Sequence, residues 1–330
     1  MYSITLKNGV KFLCDSKTTI FESARSNGII LEHSCLSARC RSCIIHLEKG
    51  TTTDKLDDLV LSKEEKLNHC VLSCNAIPTS NLVLDIEGLL GFRFFEKKII
   101  PSKIQSIVKF KENVIEVRLR LPPNANFEYN SGQYVNIIKG DIKRSYSIAN
   151  AFEQNTLLTF FIKKYDNGVM SNYWFEEAKV NDLLRIEGPL GSFFIRENDQ
   201  ENIIFLATGT GVAPIKAILE NLSKLEQNFR NKKIWLFVGA RNENDLFWNP
   251  SELRNFNDII YFPVLSRASI EWTGERGYIQ DIVIKQSISL VNSCVYACGS
   301  NIMIESSKKL FIENGLKENN FFSDPFVQSN

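Results

Sequence analysis

Nine residues, Cys35-Leu36-Ser37-Ala38-Arg39-Cys40-Arg41-Ser42-Cys43, restrict the possible folds more than any other stretch of the 330-residue sequence. Three thiols stand at C-x4-C-x2-C spacing, with further cysteines at 70 and 74. One loop can supply three ligands to a [2Fe–2S] cluster only if its backbone wraps the cluster and offers N–H groups to the sulfides. A fourth thiolate must then return from a distant element, and Cys70 and Cys74 both qualify. A tetrahedral zinc site is the competing reading, although zinc usually takes paired C-x2-C ligands. Four unrelated buried thiols are the plainer one. Composition enters here. The N-terminal residues show no apolar leader, and no apolar run approaches 18 residues. This places the chain in the cytoplasm, where eight cysteines favour metal ligation or buried thiols over disulfides. Cys14 and Cys294 then read as packing residues.

Around that loop the first 90 residues carry short elements. Ser3–Leu6 and Val10–Leu13 flank Lys7-Asn8-Gly9 as a hairpin. Thr18–Asn27 reads as an amphipathic helix stopped by Gly28. Ile44–Glu48 reads as a strand and Leu59–Lys66 as a helix with a capping box over Ser62–Glu65. Asn81–Ile86 is a final strand. This mixture resembles the β-grasp ferredoxin fold, an α+β arrangement. Leu72-Ser73-Cys74-Asn75-Ala76-Ile77-Pro78 is similar to the segment holding the last ligand in plant-type ferredoxins. The resemblance therefore implies Cys35, Cys40, Cys43 and Cys74 as the metal ligands. Ala38 stands where such loops usually carry glycine; if the position needs a positive φ, Ala is strained there.

Gly88–Ile100 reads as a linker. Beyond it, Lys103–Phe110, Val114–Leu121, Tyr134–Ile138, Ser145–Ala149, Thr156–Lys163 and Asp182–Gly188 are short strands at the spacing of a small antiparallel barrel. From about 199, continuous apolar runs at Ile203–Ala207, Ile234–Gly239, Ile259–Val264 and Val295–Cys298 alternate with helical stretches at Pro214–Leu225, Asn249–Phe256, Ile279–Lys285 and Ile302–Asn314. That is the pattern of a doubly wound α/β sheet. Its first strand ends in Thr208-Gly209-Thr210-Gly211-Val212-Ala213-Pro214. A glycine-rich turn between strand and helix brings backbone N–H groups to a diphosphate. Ligands of such sheets gather at the strands' carboxyl ends, where Gly239-Ala240-Arg241, Ser266-Arg267 and Cys298-Gly299-Ser300 also lie.

The strand residues Arg144-Ser145-Tyr146-Ser147 and the turn Gly168-Val169-Met170-Ser171, followed by the G-T-G-x-A-P loop, resemble the ferredoxin–NADP⁺ reductase superfamily across essentially the whole chain. The resemblance implies three domains: a [2Fe–2S] ferredoxin at 1–90, an FAD-binding barrel at 100–197 and an NAD(P)-binding domain at 199–330. It implies that Arg144, Ser145, Tyr146 and Ser147 bind the flavin. Gly168, Val169, Met170 and Ser171 would meet its diphosphate. Gly209, Thr210, Gly211, Arg241, Ser266, Arg267, Cys298 and Gly299 would hold the nucleotide. Phe322 or Phe326 would cover the ring. Ser147 at the reactive flavin edge and Cys298 beside the nicotinamide are the implied catalytic residues. Asp245-Leu246 after Gly239-Ala240-Arg241 inclines the donor toward NADH over NADPH.

The domain order implies an oxidoreductase that passes electrons from NAD(P)H through FAD and [2Fe–2S] to a partner enzyme. The motifs and the Ser323-Asp324-Pro325-Phe326 tail look most like the branch that reduces CDP-6-deoxy-3,4-glucoseen in 3,6-dideoxysugar synthesis, whose acceptor is a pyridoxamine-dependent dehydrase. The alternatives are the reductase component of a multicomponent oxygenase and, outside enzymes, a metal-binding electron carrier. The chain has 39 Lys+Arg against 38 Asp+Glu, which argues against nucleic acid or an anionic membrane as partner.

Overall fold

The computed structural model describes residues 1–57, 60–89, 92–93, 95–153, 156–224, 229, 231–253 and 259–327. It divides into two units, Met1–Phe95 and Glu96–Asn330. The multidomain architecture expected from the sequence is the one observed, with a five-stranded mixed sheet and a two-stranded ribbon in the first unit and two six-stranded sheets in the second.

In the first unit, β1 (Tyr2–Leu6), β2 (Lys11–Cys14), β3 (Ile44–Lys49), β4 (Thr52–Asp54), β5 (Cys70–Leu72), β6 (Ala76–Pro78) and β7 (Leu82–Leu84) follow one another. Five form a sheet in the order β2-β1-β7-β3-β5, and β4 and β6 form a separate ribbon. Helix α1 (Ile20–Ser26) starts at a capping box in which Thr19 and Glu22 satisfy each other's backbone N–H. Its Ile20, Phe21 and Ala24 pack on Ile4, Leu6, Phe12, Leu82 and Leu84. Helix α2 (Lys63–Leu67) buries no side chain and depends on the Ser62/Glu65 capping box. The sequence places its start at Leu59, which lies outside the described residues.

The second unit opens with β8 (Lys98–Lys111), β9 (Val114–Arg120), β10 (Tyr134–Lys139), β11 (Ile142–Ser147), β12 (Leu157–Lys163) and β13 (Leu183–Leu190). They form an antiparallel sheet in the order β11-β10-β13-β8-β9-β12. A bridge between Ile148 and Phe160 joins its two edges. β11 begins three residues before the expected Ser145, so all of Arg144–Ser147 is strand, paired residue by residue with Ile137–Tyr134. α3 (Val169–Asn172) continues into a wider π turn, Tyr173–Glu177.

The parallel sheet of β14 (Asn202–Thr208), β15 (Lys233–Ala240), β16 (Ile259–Leu265), β17 (Glu275–Arg276), β18 (Ser293–Gly299) and β19 (Phe321–Pro325) has the order β17-β16-β15-β14-β18-β19. Every residue of β18 is buried, as the continuous apolar run requires. Helices α4 (Val212–Leu222), α5 (Ile279–Lys285) and α6 (Asn301–Glu313) serve this sheet. Pro214 does not open α4. It sits at the third position, within the first turn, where its missing N–H has no intrahelical partner to lose. The expected end of that helix, Leu225, lies outside the described residues. The helix expected at Asn249–Phe256 is a single 3₁₀ turn, Pro250–Glu252, in its described part. The terminal segment Phe321–Pro325, to which the sequence assigns no element, is a strand. Among the described residues no helix is long and apolar enough to cross a membrane.

Candidate functional site

The cysteine loop is wound by three non-glycine residues in the left-handed region: Leu36 at φ 53, Ala38 at φ 57 and Arg41 at φ 65. This turns amide groups inward. Ser37 and Arg39 N–H donate to the Cys35 sulfur at 3.4 and 3.5 Å, and Cys35 N–H donates to Cys40 at 3.3 Å. Ser73 N–H bonds the Cys43 carbonyl at 2.9 Å, and this brings Cys74 Sγ to 3.2 Å from Cys43 Sγ. Cys70 lies instead on β5 opposite His46, and its thiol donates to the Asn68 carbonyl at 3.9 Å. The loop is held to α2 by the Arg41–Glu65 ion pair.

The four thiols therefore stand as two pairs. The Cys40 thiol bonds the Cys35 sulfur and draws its pKa down to about 5, while Cys43 does the same in direction for Cys74. The donating partners, Cys40 and Cys43, are pushed up by those bonds and by burial. Among the described residues no three His, Cys, Asp or Glu side chains converge as a single ion would need. Two adjacent thiol pairs instead suit two irons, each taking two thiolates. The Ser42 hydroxyl, beside Cys43, is buried with no hydrogen-bond partner among the described residues, as a group awaiting a sulfide acceptor would be. Ala38 is both strained and buried at 7% exposure, so the loop accepts a cost of about 1–2 kcal/mol where glycine would accept none.

In the second unit the carboxyl ends of β14 and β18 meet where the strand order reverses, the position at which open α/β sheets bind ligands. Gly211 and Gly299 let the two loops touch backbone to backbone. A Cβ on Gly211 would lie 2.3 Å from the Cys298 carbonyl oxygen, and one on Gly299 would lie 2.3 Å from Thr208 Oγ1. Ser300 N–H donates to that same Thr208 hydroxyl at 2.9 Å. Gly209, at φ 56, faces space that no protein atom fills within 4 Å, at the head of the 11-residue α4. An open, glycine-lined helix start of this kind suits a diphosphate. Arg241, Ser266 and Arg267 are exposed at the neighbouring ends of β15 and β16, tied by Ser266 N–H to Ala240 O at 3.0 Å and Arg267 N–H to Arg241 O at 2.9 Å.

β11 reaches this region from the barrel. Arg144 and Tyr146 share one face of the strand. The Tyr146 phenol accepts from Trp174 Nε1 at 3.1 Å, and burial pushes its pKa up. Ser145 donates to Asn136 Oδ1 at 2.8 Å. Ser147 is buried and donates to Asp324 Oδ2 at 3.4 Å. The same carboxylate oxygen lies 3.9 Å from the Cys298 sulfur, whose thiol is raised well above its usual pKa by burial and by that charge. β19 pairs in parallel register with β18, setting Cys298 opposite Asp324. Phe326 N–H bonds Gly299 O at 2.8 Å. Phe322 stacks instead on Tyr296 and under Arg196, 4.8 and 4.1 Å away. Of Gly168–Ser171, Val169 is exposed, Met170 is in the barrel core, and the Ser171 hydroxyl accepts from Tyr165 N–H at 2.7 Å.

Asp324 escaped the sequence reading as a site residue, as did the Trp174 bond to Tyr146. Asp324 had a usable signal: it is the one ionisable residue of Phe321–Phe326, an otherwise apolar, Ser- and Pro-containing stretch.

Two thiol pairs in one unit, with a serine-ended barrel strand facing a glycine-lined sheet crevice in the other, suit an iron–sulfur flavoprotein that takes electrons from a nicotinamide dinucleotide. Residues 4–79 match the 2Fe-2S iron-sulfur cluster binding domain, 101–195 the oxidoreductase FAD-binding domain and 205–309 the oxidoreductase NAD-binding domain. The chain belongs to the ferredoxin–NADP⁺ reductase family, and [2Fe–2S], FAD and NAD(P)H are its cofactors. It is 38% identical to the CDP-6-deoxy-L-threo-D-glycero-4-hexulose-3-dehydrase reductase of Yersinia pestis, over 98% of this chain and 97% of that one. It is 36% identical to protein RfbI of Salmonella typhimurium (98% and 96%) and 29% identical to the anthranilate 1,2-dioxygenase electron transfer component of Acinetobacter baylyi (94% and 92%). Among solved structures, the Amycolatopsis cytochrome P450 reductase GcoB shares the fold over 100% of both chains, with a TM-score of 0.78 at 20% identity.

Proposed function

We propose that this oxidoreductase, an NAD(P)H–FAD–[2Fe–2S] electron-transfer chain, delivers its electrons to a pyridoxamine-dependent dehydrase acting on a CDP-linked 6-deoxyhexulose. The observation that carries this is the 38% identity over nearly the full length of a dehydrase reductase, against 29% for a dioxygenase component. Acceptor chemistry is a property of the whole chain rather than of one motif. We assign the working modules to 1–90, 100–197 and 199–330, NADH as the favoured donor, and the cytoplasm as the compartment, supported by eight free cysteines.

When bound, the flavin takes a hydride from the nicotinamide and the cluster takes electrons one at a time. The residues prepare for this as follows. Cys35, Cys40, Cys43 and Cys74 hold the cluster, and Arg144, Ser145 and Tyr146 hold the flavin with the Gly168–Ser171 turn. Trp174 Nε1–H donates a hydrogen bond to the Tyr146 oxygen, which leaves the phenol hydrogen free to donate outward. Ser147 donates its hydroxyl hydrogen bond to Asp324, so its lone pairs remain to accept a hydrogen bond from the ring edge. Cys298 keeps its proton and presents a small, neutral wall beside the nicotinamide. Gly209, Thr210, Gly211 and Gly299 shape the nucleotide's path, Arg241, Ser266 and Arg267 meet its far end, and Phe326 covers the ring.

The test is anaerobic reconstitution with the dehydrase, its pyridoxamine cofactor and the CDP-sugar. NADH should bleach flavin and cluster bands, and the bleached protein should be reoxidised only when dehydrase and sugar are both present. Reoxidation by an oxygenase component but not by the dehydrase would refute the assignment.

A further inference from the structure

Helix α4 begins directly after the Thr208–Gly211 loop, and the segment Ala149–Glu153 begins two residues beyond Ser147. A polar ladder joins them. Lys216 Nζ donates to Ala149 O at 3.0 Å, Glu220 Oε2 accepts from Ala151 N–H at 2.8 Å, and Lys224 Nζ pairs with Glu153 at 3.0 Å. Lys216 and Glu220 also form an ion pair along the helix, at 15% and 27% side-chain exposure. Ala149 and Ala151 are buried, and their small side chains admit the helix.

Lys216 and Glu220 stand one turn apart on α4, about 6 Å along its axis, and they meet backbone groups two residues apart, at Ala149 and Ala151. Lys224, just beyond the end of α4, meets Glu153 at the surface. The apolar packing around it, Phe161, Phe193, Ile215 and Ile218, also mixes barrel and sheet residues, but such contacts are non-directional and tolerate sliding. The ladder does not, because each rung has one hydrogen-bonding partner at one height. It fixes how far α4 can shift along the segment that carries Ser147.

We propose that Lys216 and Glu220 are positioning residues for nicotinamide-to-flavin transfer: they set the register of the nucleotide-binding loop against the flavin-binding strand. This rests on the electron-transfer reading of the two motifs. Neither side chain touches the reacting atoms. Lys216 and Glu220 lie five and nine residues beyond Gly211, and they act through backbone groups two and four residues beyond Ser147.

The experiment uses the full-length, cofactor-loaded protein and the nicotinamide donor that reduces it. Lys216→Met and Glu220→Ala should lower the limiting rate of flavin bleaching by roughly 10- to 100-fold, as expected for misplacement on the ångström scale. The donor's Kd should stay within about threefold and dithionite bleaching should be unchanged, since both loops remain intact. The double variant should lose no more than the worse single one. Glu220→Gln, which still accepts from Ala151, should recover part of the rate. Amide hydrogen exchange at 149–153 should quicken in Glu220→Ala. Faster exchange with an unchanged limiting rate would overturn the positioning role, and unchanged exchange would overturn the ladder. A parent protein bleached by neither NADH nor NADPH would instead overturn the electron-transfer reading beneath it. If Glu220→Ala fails to fold, the rate ratio of Lys216→Met to the parent decides.

Discussion

Gly211→Ala isolates the closest approach in the nucleotide site. Gly211 has φ −59 and ψ −13, a conformation any residue adopts, so the substitution carries no backbone penalty of its own. What it adds is a methyl group 2.3 Å from the Cys298 carbonyl oxygen, 2.6 Å from its carbon and 2.8 Å from Gly299 N, where real Cβ contacts do not fall below 3.0 Å. All three atoms are backbone and cannot rotate away. The two loops must therefore part by about 0.7 Å, the shortfall of 2.3 Å from 3.0 Å. Misplacement of about 1 Å costs on the order of 10²-fold in a reaction that needs near-contact geometry. We therefore expect the limiting rate of flavin bleaching to fall roughly 10- to 100-fold, or about 1.4–2.7 kcal/mol of barrier. The assay is anaerobic stopped-flow absorbance with the nicotinamide donor at saturation, with dithionite reduction as a control that should not change. Gly209→Ala is the matched comparison. Its φ of 56 costs about 1–2 kcal/mol of strain, but its new methyl meets no protein atom within 4 Å. It should lower the melting temperature and weaken donor binding while keeping the limiting rate. A folded Gly211→Ala protein that bleaches at the parent rate would refute the argument.

Other expectations follow from the same geometry. Cys74→Ser should abolish the cluster's visible absorption while Cys70→Ser retains it, and the opposite result would reassign the fourth ligand. Ala38→Gly should change stability by less than about 1 kcal/mol, because relieved strain offsets a more flexible unfolded chain; urea denaturation measures it. Tyr146→Phe and Arg144→Leu should weaken FAD retention on gel filtration, Arg144→Leu more, since it removes a charge suited to the diphosphate. Burial alone would raise the pKa of Glu187, but hydrogen bonds from Lys143, Asn136 and Lys97 outweigh it and hold the carboxyl at about 2. Its contribution is present above the unfolded-state pKa of about 4.3 and is lost as pH falls toward 2. Glu187→Gln should therefore lie below the parent in melting temperature at pH 7, with the gap closing between pH 5 and 2.

The chemistry of the two sites was visible in the residues because it depends on local spacing. C-x4-C-x2-C and T-G-T-G each place several groups within one loop, and the parallel strands β14, β15, β16 and β18 hold continuous apolar runs, although β16 is mostly half-buried. Features that depend on a neighbour were not visible. The sequence places the first barrel strand at Lys103–Phe110, whereas β8 spans Lys98–Lys111 and runs through Pro101. Pro101 is accommodated because it pairs only with β13, while pairing with β9 begins at Lys103. The sequence marks Phe321–Phe326 only as a tail whose Phe322 or Phe326 would cover the ring, with no strand assigned. It becomes a strand by adding to the edge of β18, where a terminal proline is tolerated. Asp324 gains its role only through that pairing. The lone alanine at 38 drew notice in the sequence as a departure from glycine, and the positive φ found there gives the departure its physical meaning.

The bond between Ser147 and Asp324 spans 177 positions. Contacts so distant in sequence form late, because loop-closure entropy is spent before they return anything. The barrel, whose pairings all lie between Lys98 and Leu190, can mature earlier; the Ser147 end of β11 gains its Asp324 contact only when β19 adds to β18. In refolding, the flavin's protection from solvent quenchers should therefore lag the barrel's secondary structure, and substitutions in β19 should delay cofactor capture more than they slow the appearance of strand signal.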